Sequence, residues 1–273
     1  QMHFVQAKGI LSAKNGMNLY RGCTHGCIYC DSRSECYQIK HMFEDIEIKE
    51  NAIELLEDAL RRKRNKCMIG TGSMTDPYMP LEEKLGMTRK AIETVHRYGF
   101  GFTVITKSPL ILRDLELLQA VNAKAKCVVQ MTLTTSDDSL CKILEPNVAV
   151  SSERFTVLKT LRDAGIPTVV WLTPILPFIN DTVENLEGIL QYCIEAKVRG
   201  IICFGMGLTL RDGNREYFYK KLDAAFPGLK EKYIQRYGTR YSVISPHNTR
   251  LMNIFRARCK ENGIETNPDV IFA

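Results

Sequence analysis

From about residue 50 onward, short apolar runs alternate with amphipathic stretches, and this alternation constrains the fold more than any other feature. Cys67 to Gly70, Phe102 to Thr106, Cys127 to Thr134, Thr168 to Leu172 and Ile201 to Phe204 are β-branched-rich runs without a clean polar face. Parallel strands covered on both sides require that pattern. Between the runs, apolar residues recur at three- and four-residue spacing: Ile53, Leu56 and Leu60; Ile92 and Val95; Phe155, Leu158 and Leu161; Leu186, Ile189, Leu190 and Ile194. Each set marks one buried helix stripe. Strand–helix units of roughly 30 residues imply a parallel sheet with right-handed crossovers. A further strand over Met17 to Arg21 makes six units, too few to close a barrel, so the expectation is an α/β fold, a partial (β/α)6 barrel. Ser151-Ser152-Glu153 is expected to cap one helix and Asp181 or Thr182 the next. After Leu210 the rhythm changes, and residues 216–226, 229–237 and 246–262 read as helices, the last opened by Ser245 and Pro246. The expected organisation is a single domain over 1–273, with its core at about 15–210 and a helical, basic C-terminal extension at 211–273.

With 273 residues of which 45% are hydrophobic, the chain has ample material for a core, which excludes a disordered or fibrous protein. No basic-then-apolar leader opens it, Met2 reads as the natural start, and the charge-free stretch 166–180 is interrupted by Pro167, Pro174 and Pro177. A cytoplasmic protein without a membrane span is expected, so its ten cysteines are thiols or metal ligands before they are disulfides. Net charge is +6, but residues 211–260 hold 12 Lys/Arg against 4 Asp/Glu. That segment is where an anionic partner would bind.

The chemistry concentrates in Gly22-Cys23-Thr24-His25-Gly26-Cys27-Ile28-Tyr29-Cys30, which places three thiols within eight residues. No second C-x2-C pair is present to complete a tetrahedral zinc site. Three thiolates suit an iron–sulfur cluster that keeps one iron open. The competing reading is a zinc loop completed by His25, His41 or Cys36.

With its aromatic before the last cysteine and βα units following, this segment resembles the radical S-adenosylmethionine (SAM) superfamily. The resemblance implies a [4Fe–4S] cluster on Cys23, Cys27 and Cys30, with S-adenosyl-L-methionine chelating the fourth iron and Tyr29 lying against its adenine. It also implies that Gly70, Thr71, Gly72 and Ser73 meet the methionyl amine. Lys107 and Arg154 would pair with the carboxylate, and Thr132 and Thr134 would meet the ribose. A reducing electron donor such as flavodoxin or ferredoxin follows from the same resemblance.

Thr75-Asp76-Pro77-Tyr78, Glu82-Glu83, Leu144-Glu145-Pro146, Arg154 and Pro174 to Asp181 are similar to the spore photoproduct lyase-like group within that superfamily. Ser73-Met74 stand where the DNA repair enzyme carries its hydrogen-donating cysteine, and Asp31-Ser32-Arg33 follow Cys30 where a tyrosine is expected. The compact build is closer to small members acting on free metabolites, which implies a lyase that splits the C–N bond of queuine to release an aminomethyl deazaguanine. Its small-molecule substrate, a deazapurine base, wants a carboxylate across its ring N–H and amine. Asp31, Glu35, Asp76, Glu145, Asp181 and Asp212 are the acids considered. Asp31, Glu145 and Cys36 are assigned to catalysis, and Asp76, Tyr78, Asp181, Met206 and Asp212 to substrate binding. Cys36 is a quencher of a product radical, a ligand of a second metal, or one more buried thiol, the fate expected of Cys67, Cys127, Cys141, Cys193, Cys203 and Cys259. The alternative is base repair or modification in DNA or RNA. On that view Tyr217, Tyr219, Tyr233, Tyr237 and Tyr241, interleaved with Lys220, Lys221, Lys230, Lys232, Arg236 and Arg240, would stack bases and pair phosphates. The simpler reading of the same residues is that the tyrosines close the core and the cations face water.

Overall fold

A computed structural model describes residues 1–273. Its strands are β1 (Met2–Val5), β2 (Gly16–Met17), β3 (Tyr20–Arg21), β4 (Ile46–Lys49), β5 (Met68–Thr71), β6 (Gly101–Thr106), β7 (Cys127–Thr132), β8 (Thr168–Trp171), β9 (Gly200–Ile202), β10 (Gly207–Thr209) and β11 (Ser242–Ile244). Its helices are α1 (Ala52–Arg62), α2 (Glu82–Leu85), α3 (Met87–Arg97), α4 (Leu115–Lys124), α5 (Asp138–Leu144), α6 (Ser151–Asp163), α7 (Val183–Glu195), α8 (Asn214–Ala225), α9 (Leu229–Tyr237), α10 (Asn248–Glu261) and α11 (Pro268–Ile271). Six strands form one sheet in the order β2-β5-β6-β7-β8-β9, so each neighbours the next of the βα series. The fold is α/β, with the sequential parallel order of a partial (β/α)6 barrel.

The chain divides into two compact units. The first comprises Gln1–Thr24, His41–Met131 and Thr156–Val169. Its strands are apolar where the sheet needs them: Ile69, Phe102, Val104, Val128 and Val129 are fully buried. The expected strand over Met17 to Arg21 splits in two. Gly16 and Met17 pair in parallel with β5, whereas Tyr20 and Arg21 turn away to pair antiparallel with β4 in a separate three-stranded sheet, β1-β4-β3. Short pairings of that kind are fixed by tertiary partners and leave no run to read in the sequence.

The second unit comprises His25–Lys40, Thr132–Phe155 and Val170–Ala273. The run expected to continue to Thr134 ends at Thr132, because the carbonyl of Thr134 accepts the side-chain amides of Asn180 (2.7 Å) and Asn185 (3.1 Å) instead of a strand neighbour. Helix α6 begins at Ser151, so Ser151-Ser152-Glu153 form its first turn; the Ser152 amide and hydroxyl both donate to Asp138. Thr182 caps α7 by accepting the Asn185 amide, while Asp181 binds the Phe178 amide and the Ser245 hydroxyl. The three C-terminal helices lie where the periodicity puts them, with α10 starting at Asn248 behind His247. A strand pair absent from the sequence reading, β10 with β11, sits among them.

Helix α9 separates its own tyrosines from its cations, whereas outside it Tyr217 and Tyr219 are half-buried and Tyr241 is exposed. Tyr233 and Tyr237 are four residues apart, share one face and are buried, with hydroxyls donating to the carbonyls of Pro177 and Ile244. Lys232 and Arg236 lie on the exposed face. Both tyrosines join Phe218, Leu222, Leu208 and Leu210 in a core cluster that also contains Cys27, Ile28 and Tyr29. Each such side chain contributes about 1.5–3 kcal/mol on burial. The basic C-terminal region thus helps build the core that seats two of the three motif cysteines.

Candidate active site

In the first unit, the motif begins where Gly22 adopts a left-handed backbone (φ 92°). A Cβ there would run into the carbonyl oxygen of Phe43, so only glycine fits. That same carbonyl accepts the Cys23 amide (3.1 Å), and the Thr75 hydroxyl donates to the carbonyl of Gly22 (2.5 Å). The segment after β5 is therefore tied to the start of the cysteine loop. Gly70 and Thr71 end β5, and Gly72 (φ 104°) lies so close to the Ile105 backbone that a Cβ has no room, while Ser73 is exposed. Asp76 is buried and fully engaged: one oxygen accepts from the Tyr78 amide (2.8 Å) and the Thr106 hydroxyl (2.7 Å), the other from the Lys107 amide (2.9 Å). It fixes the loops after β5 and β6 to one another. Tyr78, expected at the substrate, is 1% exposed and donates its hydroxyl to Asp114 (2.8 Å).

In the second unit the loop continues through His25, Cys27 and Cys30. Its backbone docks on the end of α5, with the Ile28 amide on the Leu144 carbonyl (3.0 Å) and the Asn147 amide on the His25 carbonyl (3.0 Å). Tyr29 then reaches inward, and its hydroxyl donates to Glu145 Oε2 at 2.6 Å. Thr134 donates to Glu145 Oε1 at 3.0 Å, and Arg154 Nη1 meets both oxygens at 3.2 and 3.3 Å. Arg154 also donates to the carbonyls of Ala149 and Thr132, both at 2.9 Å. Glu145, Thr134 and Arg154 are all 0% exposed. Burial, with the charge of Glu145 beside it, pushes the Tyr29 phenol well above its usual range. Burial alone would lower the Arg154 pKa, but Glu145 together with Cys141, Tyr29 and Cys27 outweighs it, and the guanidinium stays charged. Four residues assigned to separate cofactor and catalytic contacts therefore form one buried network with each other.

Asp31, Cys36 and Asp212 lie in a more open place in the same unit. Asp31 (side chain 37% exposed) accepts from Tyr37 at 2.9 Å, Thr209 at 3.3 Å and Ser34 at 3.4 Å. Arg211, which the sequence reading passed over, spans the group: Nη1 donates to Cys36 Sγ (3.2 Å), Nη2 to the Tyr241 hydroxyl (2.7 Å), and Nε lies 3.7 Å from Asp31. Its only sequence signal is membership of the basic run. Cys36 is exposed and not a core thiol. Asp212 points to solvent, and its carbonyl accepts the Glu35 amide (2.9 Å). Asp181 and Met206 are buried. Of the remaining cysteines, Cys127, Cys141, Cys193 and Cys259 are buried as expected, whereas Cys67 and Cys203 are only partly covered.

The donor set fits an iron–sulfur cluster. Cys23, Cys27 and Cys30 form no disulfide, and two groups considered for completing a zinc site lie elsewhere, Cys36 against Arg211 and His41 beside His3 and Glu47. Three protein ligands leave one iron for a small chelating molecule. No helix is long and apolar enough to cross a membrane.

Comparison with known proteins agrees with this chemistry. Residues 17–193 match the radical SAM superfamily. An uncharacterised protein of Mycobacterium tuberculosis is 29% identical over 234 residues, 81% of this chain and 66% of its own length. This chain thus spans just under two-thirds of that relative. An uncharacterised protein of Methanocaldococcus jannaschii is 31% identical over 181 residues, 66% of each chain. Among solved structures, a spore photoproduct lyase variant with bound S-adenosylmethionine and dinucleoside spore photoproduct superposes with a TM-score of 0.65 at 13% identity, covering 89% of this chain and 72% of that one. That likeness is one of fold.

Proposed function

The chain belongs to the radical SAM superfamily, and on that premise we propose that it is a lyase that breaks a C–N or C–C bond in a small-molecule substrate, with queuine as the specific substrate. The superfamily's [4Fe–4S] cluster and S-adenosylmethionine supply, when bound, a 5′-deoxyadenosyl radical that removes a hydrogen atom from substrate. Cys23, Cys27 and Cys30 would hold the cluster. Gly70 to Ser73, Lys107 and Thr132 would meet S-adenosylmethionine at the carboxyl ends of their strands, where open α/β sheets bind ligands.

The observation that carries the substrate reading is the half-open polar group immediately after Cys30. The two longest hydrogen bonds of Asp31, from Thr209 and Ser34, are the ones that a guanine-like N–H and amine edge would replace. Arg211 lies 3.7 Å from Asp31 and 4.8 Å from the Tyr241 ring centroid, an aromatic surface suited to a flat base. Cys36 would return a hydrogen atom to the product radical through homolysis of its S–H bond. The resulting thiyl radical needs one electron from a flavodoxin- or ferredoxin-class donor and one proton. Glu145 acts as a positioning residue that holds Tyr29, and through it the loop, in place. Anaerobic incubation of the reconstituted enzyme with queuine, followed by mass detection of the aminomethyl deazaguanine, tests the proposal. Robust S-adenosylmethionine cleavage without that product would overturn the substrate assignment alone.

A second reading, action on a base within DNA or RNA, is favoured by the exposed cations Lys220, Lys232, Arg236 and Arg240. It predicts a salt-sensitive mobility shift of labelled DNA or tRNA. The absence of any shift at low ionic strength would reject it.

A further inference from the structure

We propose that the first unit carries a second metal site, a zinc(II) centre formed by His3, His41 and Glu47. His3 and Glu47 are register partners on the parallel pair β1 and β4, and His41 comes from the segment preceding β4. One ligand atom from each of the three lies within 4.8 Å of the others. Two imidazoles and a carboxylate form the borderline donor set that zinc favours, with room for water as fourth ligand.

A hydrogen bond orients the His41 ring for this role, and a carboxylate stands behind the His3 ring. Nδ1 of His41 lies 2.9 Å from the Met42 carbonyl, which makes it the protonated nitrogen and leaves Nε2 with a free lone pair. That Nε2 is buried and has no hydrogen-bond partner, a costly state for a polar atom unless a ligand meets it. Nδ1 of His3 lies 3.2 Å from Asp45, and its Nε2 lies 3.9 Å from Glu47. A ligating histidine backed by a carboxylate on its other nitrogen is a recurrent arrangement around zinc. A simple ion pair between a protonated His3 and the two acids accounts less well for the group. It leaves the second ring, centred 4.7 Å away, without a partner for Nε2. The side chain of His3 is 36% exposed, which gives an ion a way in.

The metal would staple residues 41–47 to β1. That segment carries Phe43, whose carbonyl holds the Cys23 amide. The site thus has a structural place beside the cysteine loop without sharing its ligands.

The test uses the full chain with Cys23, Cys27 and Cys30 changed to serine, so that cluster thiols cannot take up metal, titrated anaerobically with cobalt(II) and then zinc(II). One equivalent of cobalt should bind with visible d–d bands and no thiolate charge-transfer band, and zinc should displace it. His41→Ala and His3→Gln should each abolish binding while far-UV circular dichroism is unchanged. Asp45→Asn should weaken binding by about 10–100-fold, the range for orienting partners of metal ligands. No cobalt uptake, thiolate charge transfer, or uptake that survives His41→Ala would each overturn the proposal.

Discussion

Each unit contains one buried cluster of carboxylate, arginine and tyrosine, and the two are put to different uses. In the first, Glu82 accepts from the Tyr20 hydroxyl (2.6 Å), the Thr88 amide (2.7 Å) and Arg113 (2.7 Å), while Asp114 accepts from Tyr78 (2.8 Å), Arg89 (2.7 Å) and Arg113. In the second, one carboxylate, Glu145, and one arginine, Arg154, satisfy each other with no solvent exposure, and Tyr29 links them to the cysteine loop. The first cluster has two acids, and its arginines keep side chains 26% and 43% exposed, so losing one donor leaves another and some water. The second has a single guanidinium and no exposure to water: Tyr29 and Thr134 also donate to Glu145, but neither carries a positive charge. The same bonding pattern that stabilises one unit therefore leaves the charge balance behind the motif loop of the other to a single ion pair.

Breaking the ion pairs should show this difference most strongly. Arg154→Leu leaves Glu145 charged, buried and uncompensated, which costs about 3–5 kcal/mol, and the cluster should be lost with stability. Arg89→Leu in the first unit should cost well under half as much, read by urea unfolding and iron content. Equal losses in the two variants would contradict the comparison. The tyrosines sharpen it next. Tyr29→Phe and Tyr78→Phe each remove one hydrogen bond to a carboxylate, worth about 1.5–3 kcal/mol. Both should lower the urea midpoint similarly, but only Tyr29→Phe should accelerate loss of iron from the reconstituted protein.

Acid provides a smaller, graded test. Burial opposes ionisation of Asp114, but hydrogen bonds from Arg113, Arg89 and Tyr78 outweigh it and hold its carboxyl below the usual range. A depressed folded pKa means the unfolded state takes up the proton first. The contribution of Asp114 is therefore complete above about pH 4–5 and falls as pH drops toward the folded pKa. Urea midpoints between about pH 5 and 3 should fall less steeply for Asp114→Asn than for the parent. An identical slope would remove Asp114 from the account. Thiol chemistry is the mildest probe. Burial pushes Cys127 and Cys259 up to about 12 and Cys203 up to about 11, so they should resist iodoacetamide in the folded protein. Exposed Cys36 should be alkylated first by peptide mapping, and early modification of Cys127 would contradict the packing.

How much of this was legible in the sequence follows from range. The βα series could be read because a strand covered on both faces must be apolar throughout, so Phe102 to Thr106 and Cys127 onward announce themselves locally. β1, β3 and β4 could not, since Met2–Val5 alternates between exposed and half-buried and Tyr20–Arg21 is a strand only through its pairing with β4. The cysteine loop was legible because its spacing is the chemistry. The network behind it was not: Tyr29 and Glu145 are 116 residues apart, and nothing local distinguishes Glu145 or Arg154 from a ligand-facing residue. Arg211 was hidden inside a basic run, with nothing local to set it apart from members such as Lys220 and Arg240 that face water.

The central claim is that Cys23, Cys27 and Cys30 hold a cluster that cleaves S-adenosylmethionine. Its most direct test is anaerobic reconstitution of the parent and Cys27→Ala proteins, with iron content and reductant-dependent 5′-deoxyadenosine formation measured together. The account predicts a brown parent protein with about four irons per chain that forms 5′-deoxyadenosine. It predicts a folded Cys27→Ala variant that does not. A colourless parent holding stoichiometric zinc in place of iron, or undiminished 5′-deoxyadenosine formation by Cys27→Ala, would contradict it.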